Sequence, residues 1–111
     1  MNNKAYETFV ASSASPKYDR KLAVIGLMGE VGELADVIKK ETIYEDMSKF
    51  EEKYGMSVRD KIIDEVGDCM YQLTLVLVKY GTSLDEIMEK NYDKLMKRHG
   101  GQGVAKDGGK R

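Results

Sequence analysis

Helix punctuation constrains this chain more than any other feature. Pro16 is its only proline and stands in the run Ser12-Ser13-Ala14-Ser15-Pro16. Everything after it is free of the residue that most strongly breaks helices. Before the break, residues 4–11 fit a short helix. Beyond it, Asp19 is placed to cap a helix running to about Lys40, with Lys39 and Lys40 suited to the negative end of its dipole. Thr42 and Glu45 have capping-box spacing for a shorter helix ending near Gly55. Ser57 and Asp60 open a helix that reaches Tyr80 and stops at Gly81. Ser83 and Glu86 repeat the capping-box spacing for a last helix ending near His99. No internal repeat and no useful strand-like alternation interrupts this pattern. The expectation is an all-α, four-helix-bundle-like fold over residues 1–99. Five of the eleven glycines fall in residues 100–111, so that stretch reads as a flexible tail.

The apolar pattern says how such helices pack. Ile43, Met47, Phe50 and Tyr54 recur at helical spacing, giving the short 42–55 insert one apolar face. Leu73, Leu75, Val76, Leu77 and Val78 cover nearly the whole circumference of their helix, with Thr74 the one polar residue among them. Such a segment has to be buried on all sides. Either the short N-terminal helix covers it, or a second subunit does. A chain of 111 residues buries a modest core, so completion of the bundle by a homo-oligomer is expected.

Composition removes several functions. With 18 basic and 19 acidic residues the formal net charge is −1, which leaves no broad basic surface for nucleic acid or an anionic membrane. Cys69 and His99 are single residues of their kinds, so one chain builds neither a disulfide nor a Cys/His zinc site. No apolar run approaches membrane-spanning length, and the start MNNKAYETF lacks the pattern of a signal peptide. A cytoplasmic protein is expected.

Chemistry concentrates in two acidic pairs, Glu30-Val31-Gly32-Glu33 and Glu65-Val66-Gly67-Asp68. Residues three apart on a helix lie one turn apart and point the same general way. The first pair shares its direction with Ala23, Gly26 and Val37, while Lys21 and Lys39 lie opposite. The second shares its direction with Val58, Leu75 and Val76. An isolated acidic pair is ordinarily a solvated face. Two pairs set on apolar faces of long helices instead imply carboxylates gathered in a partly buried space, where they repel one another. A divalent cation removes that cost, and an all-oxygen donor set points to Mg²⁺ or Mn²⁺. No EF-hand loop is present. The ferritin-like Glu-x-x-His pattern is missing too, since Met96 stands three residues before His99.

Two further features join this cluster. Gly26, Gly29 and Gly32 recur every third residue, and Gly67 lies inside the second pair; each costs about 1 kcal/mol relative to Ala in a helix interior. Close approach of a backbone or of a ligand would account for them. Asn91, Lys94 and Arg98 follow the i, i+3, i+7 rhythm on the last helix beside Ile87 and Leu95. They offer either cationic partners for phosphate or ordinary charge at a helix C-terminus. Tyr18, Phe50, Tyr54 and Tyr71 are candidates for stacking on a base or for plain core packing.

The blocks GLMGEVGELAD (26–36), DEVGD (64–68) and NYDKLMKR (91–98) together resemble the MazG-like nucleotide pyrophosphohydrolases, whose signature is E-x-x-E followed by E-x-x-D. The resemblance covers about residues 19–98. It implies an all-α scaffold assembled as a dimer or tetramer, with Glu30, Glu33, Glu65 and Asp68 as catalytic metal ligands for Mg²⁺. It also implies that Asn91, Lys94 and Arg98 hold substrate phosphates. The reaction would be hydrolysis of a nucleoside triphosphate to the monophosphate and pyrophosphate, in a nucleotide-pool house-cleaning role. Phosphoribosyl-ATP pyrophosphatase and dimeric dUTPase activities stay open within the same superfamily, as does a non-enzymatic helical interaction module. The 31 residues between Glu33 and Glu65 exceed the spacing of compact members. The 42–55 insert accounts for the excess, as a lid, a base-pocket wall or a helix extension.

Overall fold

The computed structural model describes residues 1–100, and the stretch read as a tail, apart from Gly100, lies outside them. All regular structure among these residues is helical, in five segments: α1 Asn3–Ser13, α2 Arg20–Ile43, α3 Met47–Tyr54, α4 Val58–Lys79 and α5 Leu84–His99.

Local chemistry sets the helix ends. Asn2 accepts from the Ala5 amide at 2.8 Å to start α1, and Asp19 accepts from Leu22 at 2.9 Å to start α2. Ser57 and Ser83 do the same for α4 and α5, each at 3.2 Å from the amide three residues on. Such caps satisfy backbone donors that have no intrahelical partner. Two expectations change here. Thr42 does not cap α3; its hydroxyl donates to the Ile38 carbonyl inside an α2 that continues to Ile43, and Asp46 caps α3 through the Ser48 amide. Side-chain back-bonding of this kind keeps a threonine within a helix rather than ahead of one. The Ser83/Glu86 box is half made, because the Glu86 carboxylate accepts from the Thr82 hydroxyl instead of the Ser83 amide. Gly55, Gly81 and Gly100 adopt positive φ, which closes α3, α4 and α5 at no steric cost.

The long pair α2 and α4 forms the frame. They run antiparallel: Gly26 faces Gln72, and one turn further along α2 Glu30 faces Glu65 and Asp68. Helix α1 lies against α4, and α3 packs on both long helices. Val10, Ala23 and Leu75 form the buried centre, with Tyr6, Ala14, Tyr18, Tyr71 and Val76 around it. The insert is held by Phe50, which is completely buried. Its ring packs 4.7 Å from that of Tyr54 and edge-on to Tyr44. The insert is therefore anchored to the rest of the fold.

The Leu73–Val78 segment is covered only in part. Leu75 and Leu77 are buried and α1 does cover part of the helix, while Leu73 stays half exposed. Helix α5 contributes no buried residue. It is tied at its start, where Glu7 accepts from the Leu84 amide at 3.2 Å and Asn3 donates to Asp85 at 3.1 Å. The radius of gyration is 17.3 Å, against about 13 Å for a compact domain of ~100 residues. Among the described residues no helix is long and apolar enough to cross a membrane.

Candidate metal centre

Burial of the apolar faces of α2 and α4 against one another carries the acids inward. Ala23 and Val37 on α2 are buried, as is Leu75 on α4, and Glu30 lies on the Ala23/Val37 face while Glu65 and Asp68 lie on that of Leu75. One carboxylate oxygen from each of Glu30, Glu65 and Asp68 falls within 4.8 Å of the other two. Glu65 is buried, Glu30 half-buried and Asp68 exposed, so the trio runs from the interior to solvent. Two oxygens on a single Mg²⁺ lie at most about 4.2 Å apart, given metal–oxygen distances of 2.0–2.1 Å. The trio needs only a small contraction to hold such an ion. The donor set is hard, anionic and free of nitrogen and sulfur, which suits Mg²⁺ or Mn²⁺.

Glu33 stands outside this trio. It is exposed, three residues along from Glu30, near enough for its charge to act there. Burial, then the charges of Asp68, Glu65 and Glu33, hold the Glu30 carboxyl above its ordinary value of 4.5. Burial and the same acidic field of Glu30, Glu65 and Asp68 push up the Cys69 thiol. Like charges disfavour ionisation and a bound cation favours it. The trio is thus charged in the sense that attracts a cation.

Lys61, absent from the residues that the sequence singles out, lies against this trio. Its Nζ lies 3.1 Å from Glu65 Oε1 and 3.6 Å from Asp64 Oδ2. The ammonium sits 5.0 Å from the centroid of the Tyr54 ring, with Lys40 and Lys53 at 5.8 and 5.9 Å from it. The signal was available: Lys61 precedes Glu65 by four residues, a spacing at which side chains meet on a helix.

Asn91, Lys94 and Arg98 are not brought to the trio within one chain. No ion pair among the described residues links Lys94 or Arg98 to these acids. Asn91 and Lys94 line a separate hollow of about 380 Å³ with Thr82, Glu86, Ile87 and Lys90. Of the candidate aromatic residues, Phe50 is committed to packing, whereas Tyr18 and Tyr71 border an open cleft. Of the conspicuous glycines, Gly26 alone meets a close neighbour; Gly29, Gly32 and Gly67 face open space.

Two helices meeting through inward acids, with Glu30 and Glu65/Asp68 as the meeting points, describe an all-α acidic-site protein. Residues 19–101 match the MazG nucleotide pyrophosphohydrolase domain, and the chain belongs to that family. It is also similar to an uncharacterized protein, YvdC, of Bacillus subtilis (strain 168), with 32% identity over 72 residues, spanning 65% of this chain and 68% of the relative. No solved structure matches.

Proposed function

We propose that this protein hydrolyses nucleoside triphosphates to monophosphates and pyrophosphate with the help of Mg²⁺ held by Glu30, Glu65 and Asp68. The observation that carries this reading is the convergence of three carboxylates from two helices within 4.8 Å, supported by membership of the family. A divalent ion there would neutralise phosphate oxygens as charge develops on them. Glu33, open to solvent beside the trio, is the carboxylate left to hold a water and accept its proton. Gly29 and Gly32, next to Glu30 and Glu33 in the chain, face open space.

The reading includes a second copy of the chain. Val24, Met28, Val31 and Ile38 on α2, and Ile63, Val66, Met70 and Leu73 on α4, are exposed at alternating steps of three, four and seven residues. That rhythm is an unpartnered helix-packing seam, and an apolar surface of this extent is unusual on a monomer. Pairing two copies through it completes a bundle. The α5 helix, unburied in the single chain, is then free to bring Asn91, Lys94 and Arg98 to the triphosphate of the other copy's site.

The test is pyrophosphate release across common ribo- and deoxyribonucleoside triphosphates and phosphoribosyl-ATP, with and without Mg²⁺. Glu30→Gln and Asp68→Asn are the controls. Mg²⁺-dependent release lost in both variants is expected. Full activity in both, or none on any nucleotide with wild-type protein, overturns the reading.

A further inference from the structure

One helical turn from the carboxylates, a cleft opens between α4 and the chain that leads from α1 into α2. Ser13 at the end of α1, Ala14, Ser15 and Tyr18 from the α1–α2 turn, and Tyr71, Gln72 and Leu75 from α4 line an open cleft of about 250 Å³. We propose that this cleft receives the nucleobase, with Gln72 as the residue that reads it. This rests on the nucleotide reading above, and it assigns the end of the substrate that the acidic trio leaves unassigned.

Position is the first argument. Gln72 follows Asp68 by four residues and Gly26 precedes Glu30 by four. In an antiparallel pair both steps run toward the same end, so the cleft lies ~6 Å along the helices from the acids. That is the kind of span a ribose bridges between its phosphate and its base.

Chemistry is the second. Leu75, 1% exposed, provides an apolar floor. Tyr18 and Tyr71 line the cleft, and Ser13 Oγ lies 2.6 Å from Tyr71 Oη, which holds that tyrosine. The Tyr18 hydroxyl donates to Gln72 Oε1 at 3.4 Å. No hydrogen bond among the described residues engages the Gln72 amide nitrogen, which keeps its donors for a ligand. A cleft lined by two tyrosines and a leucine, with a planar carboxamide among them, matches the needs of a base, since carboxamides pair with the adjacent donors and acceptors on base edges.

Gly26 supplies an independent sign. A Cβ there would strike Tyr18 Oη and stand 2.6 Å from Gln72 Oε1. The glycine leaves the room these two groups occupy against α2. Both obstructed atoms are ends of movable side chains, so alanine would displace them without opening the helix pair.

The experiment compares, in Mg²⁺, the affinities of the four common nucleoside monophosphates and of ribose 5-phosphate by calorimetry. Wild type, Gln72→Ala and Gly26→Ala are measured, with thermal unfolding as the check on folding. At least one monophosphate should bind wild type about tenfold or more tighter than ribose 5-phosphate, the scale of one stacked base. Both variants should lose most of that margin while keeping ribose 5-phosphate affinity and melting temperature. Equal affinity for all five ligands in wild type, or a margin untouched in both variants, overturns the inference. Pyrophosphate release in the same samples judges the hydrolase reading separately: activity with no base margin sinks this inference alone, and no activity on any nucleotide sinks the hydrolase reading.

Discussion

Lys61 Nζ lies 3.1 Å from Oε1 of Glu65, the most buried acid of the trio. The lysine is itself largely covered, with its ammonium set against the Tyr54 ring. Without metal, Lys61 is the counter-charge that makes a buried Glu65 tolerable. Removing one member of a buried pair leaves the other uncompensated.

Lys61→Met should therefore destabilise the metal-free chain by about 1–3 kcal/mol, the cost of leaving a buried acceptor unsatisfied. Saturating Mg²⁺ should narrow the difference, because the ion supplies the missing positive charge. Urea unfolding with EDTA and with Mg²⁺ checks both halves. Equal midpoints for variant and wild type in EDTA would contradict the role.

The raised Glu30 carboxyl gives a pH signature with a definite sign. Between its ordinary value of 4.5 and its folded-state value, the folded chain binds more protons than the unfolded one. Stability contributed at this group is then present below 4.5 and lost as pH rises through the folded value. In EDTA, the melting temperature of wild type relative to Glu30→Gln should fall as pH rises above 4.5 and through the raised folded-state value, then level off. A difference that stays flat or rises would show that the acidic field at Glu30 has been misjudged.

Glu33 and Glu30 should separate by function. Glu33→Gln is expected to lower turnover by about 100-fold or more, the usual contribution of a general base, while Mg²⁺ still raises the melting temperature. Glu30→Gln should lose both. Thermal shift against Mg²⁺ concentration, run beside the pyrophosphate assay, distinguishes them.

The insert is tied down by one ring. Phe50→Ala empties a fully buried position and should cost about 3–5 kcal/mol. Chemical denaturation measures this, and a loss under about 1 kcal/mol would mean that α3 contributes little to the cooperative core.

The apolar seam predicts an oligomer that charge can split. Leu73→Glu combined with Val66→Glu should halve the mass found by light scattering while leaving helical circular dichroism unchanged. Both residues are about half exposed in the single chain, so the substitutions bury no charge there. An unchanged mass for the double variant, or a monomeric wild type, would contradict pairing through this face.

Much of the fold was legible because it depends on short-range chemistry. Asp19, Ser57 and Ser83 mark helix starts through bonds that close within three residues. The inward turn of Glu30, Glu65 and Asp68 follows from 3.6-residue periodicity, which places them on the faces of Ala23, Val37 and Leu75. The Thr42 cap was misread because its hydroxyl had two local partners within reach, and continuation of α2 decided between them.

Sequence alone thus determined an all-α chain and an acidic signature, since periodicity and capping are properties of neighbours along the chain. Tertiary structure decided what meets across it. It drew three acids together and left Glu33 outside, paired Lys61 with Glu65, spent Phe50 on the core and kept Tyr18 and Gln72 at a cleft. It also held Asn91, Lys94 and Arg98 on a helix with no buried side. Those outcomes depend on the relative rotation and axial offset of α2 and α4, which side-chain packing sets and no local pattern encodes.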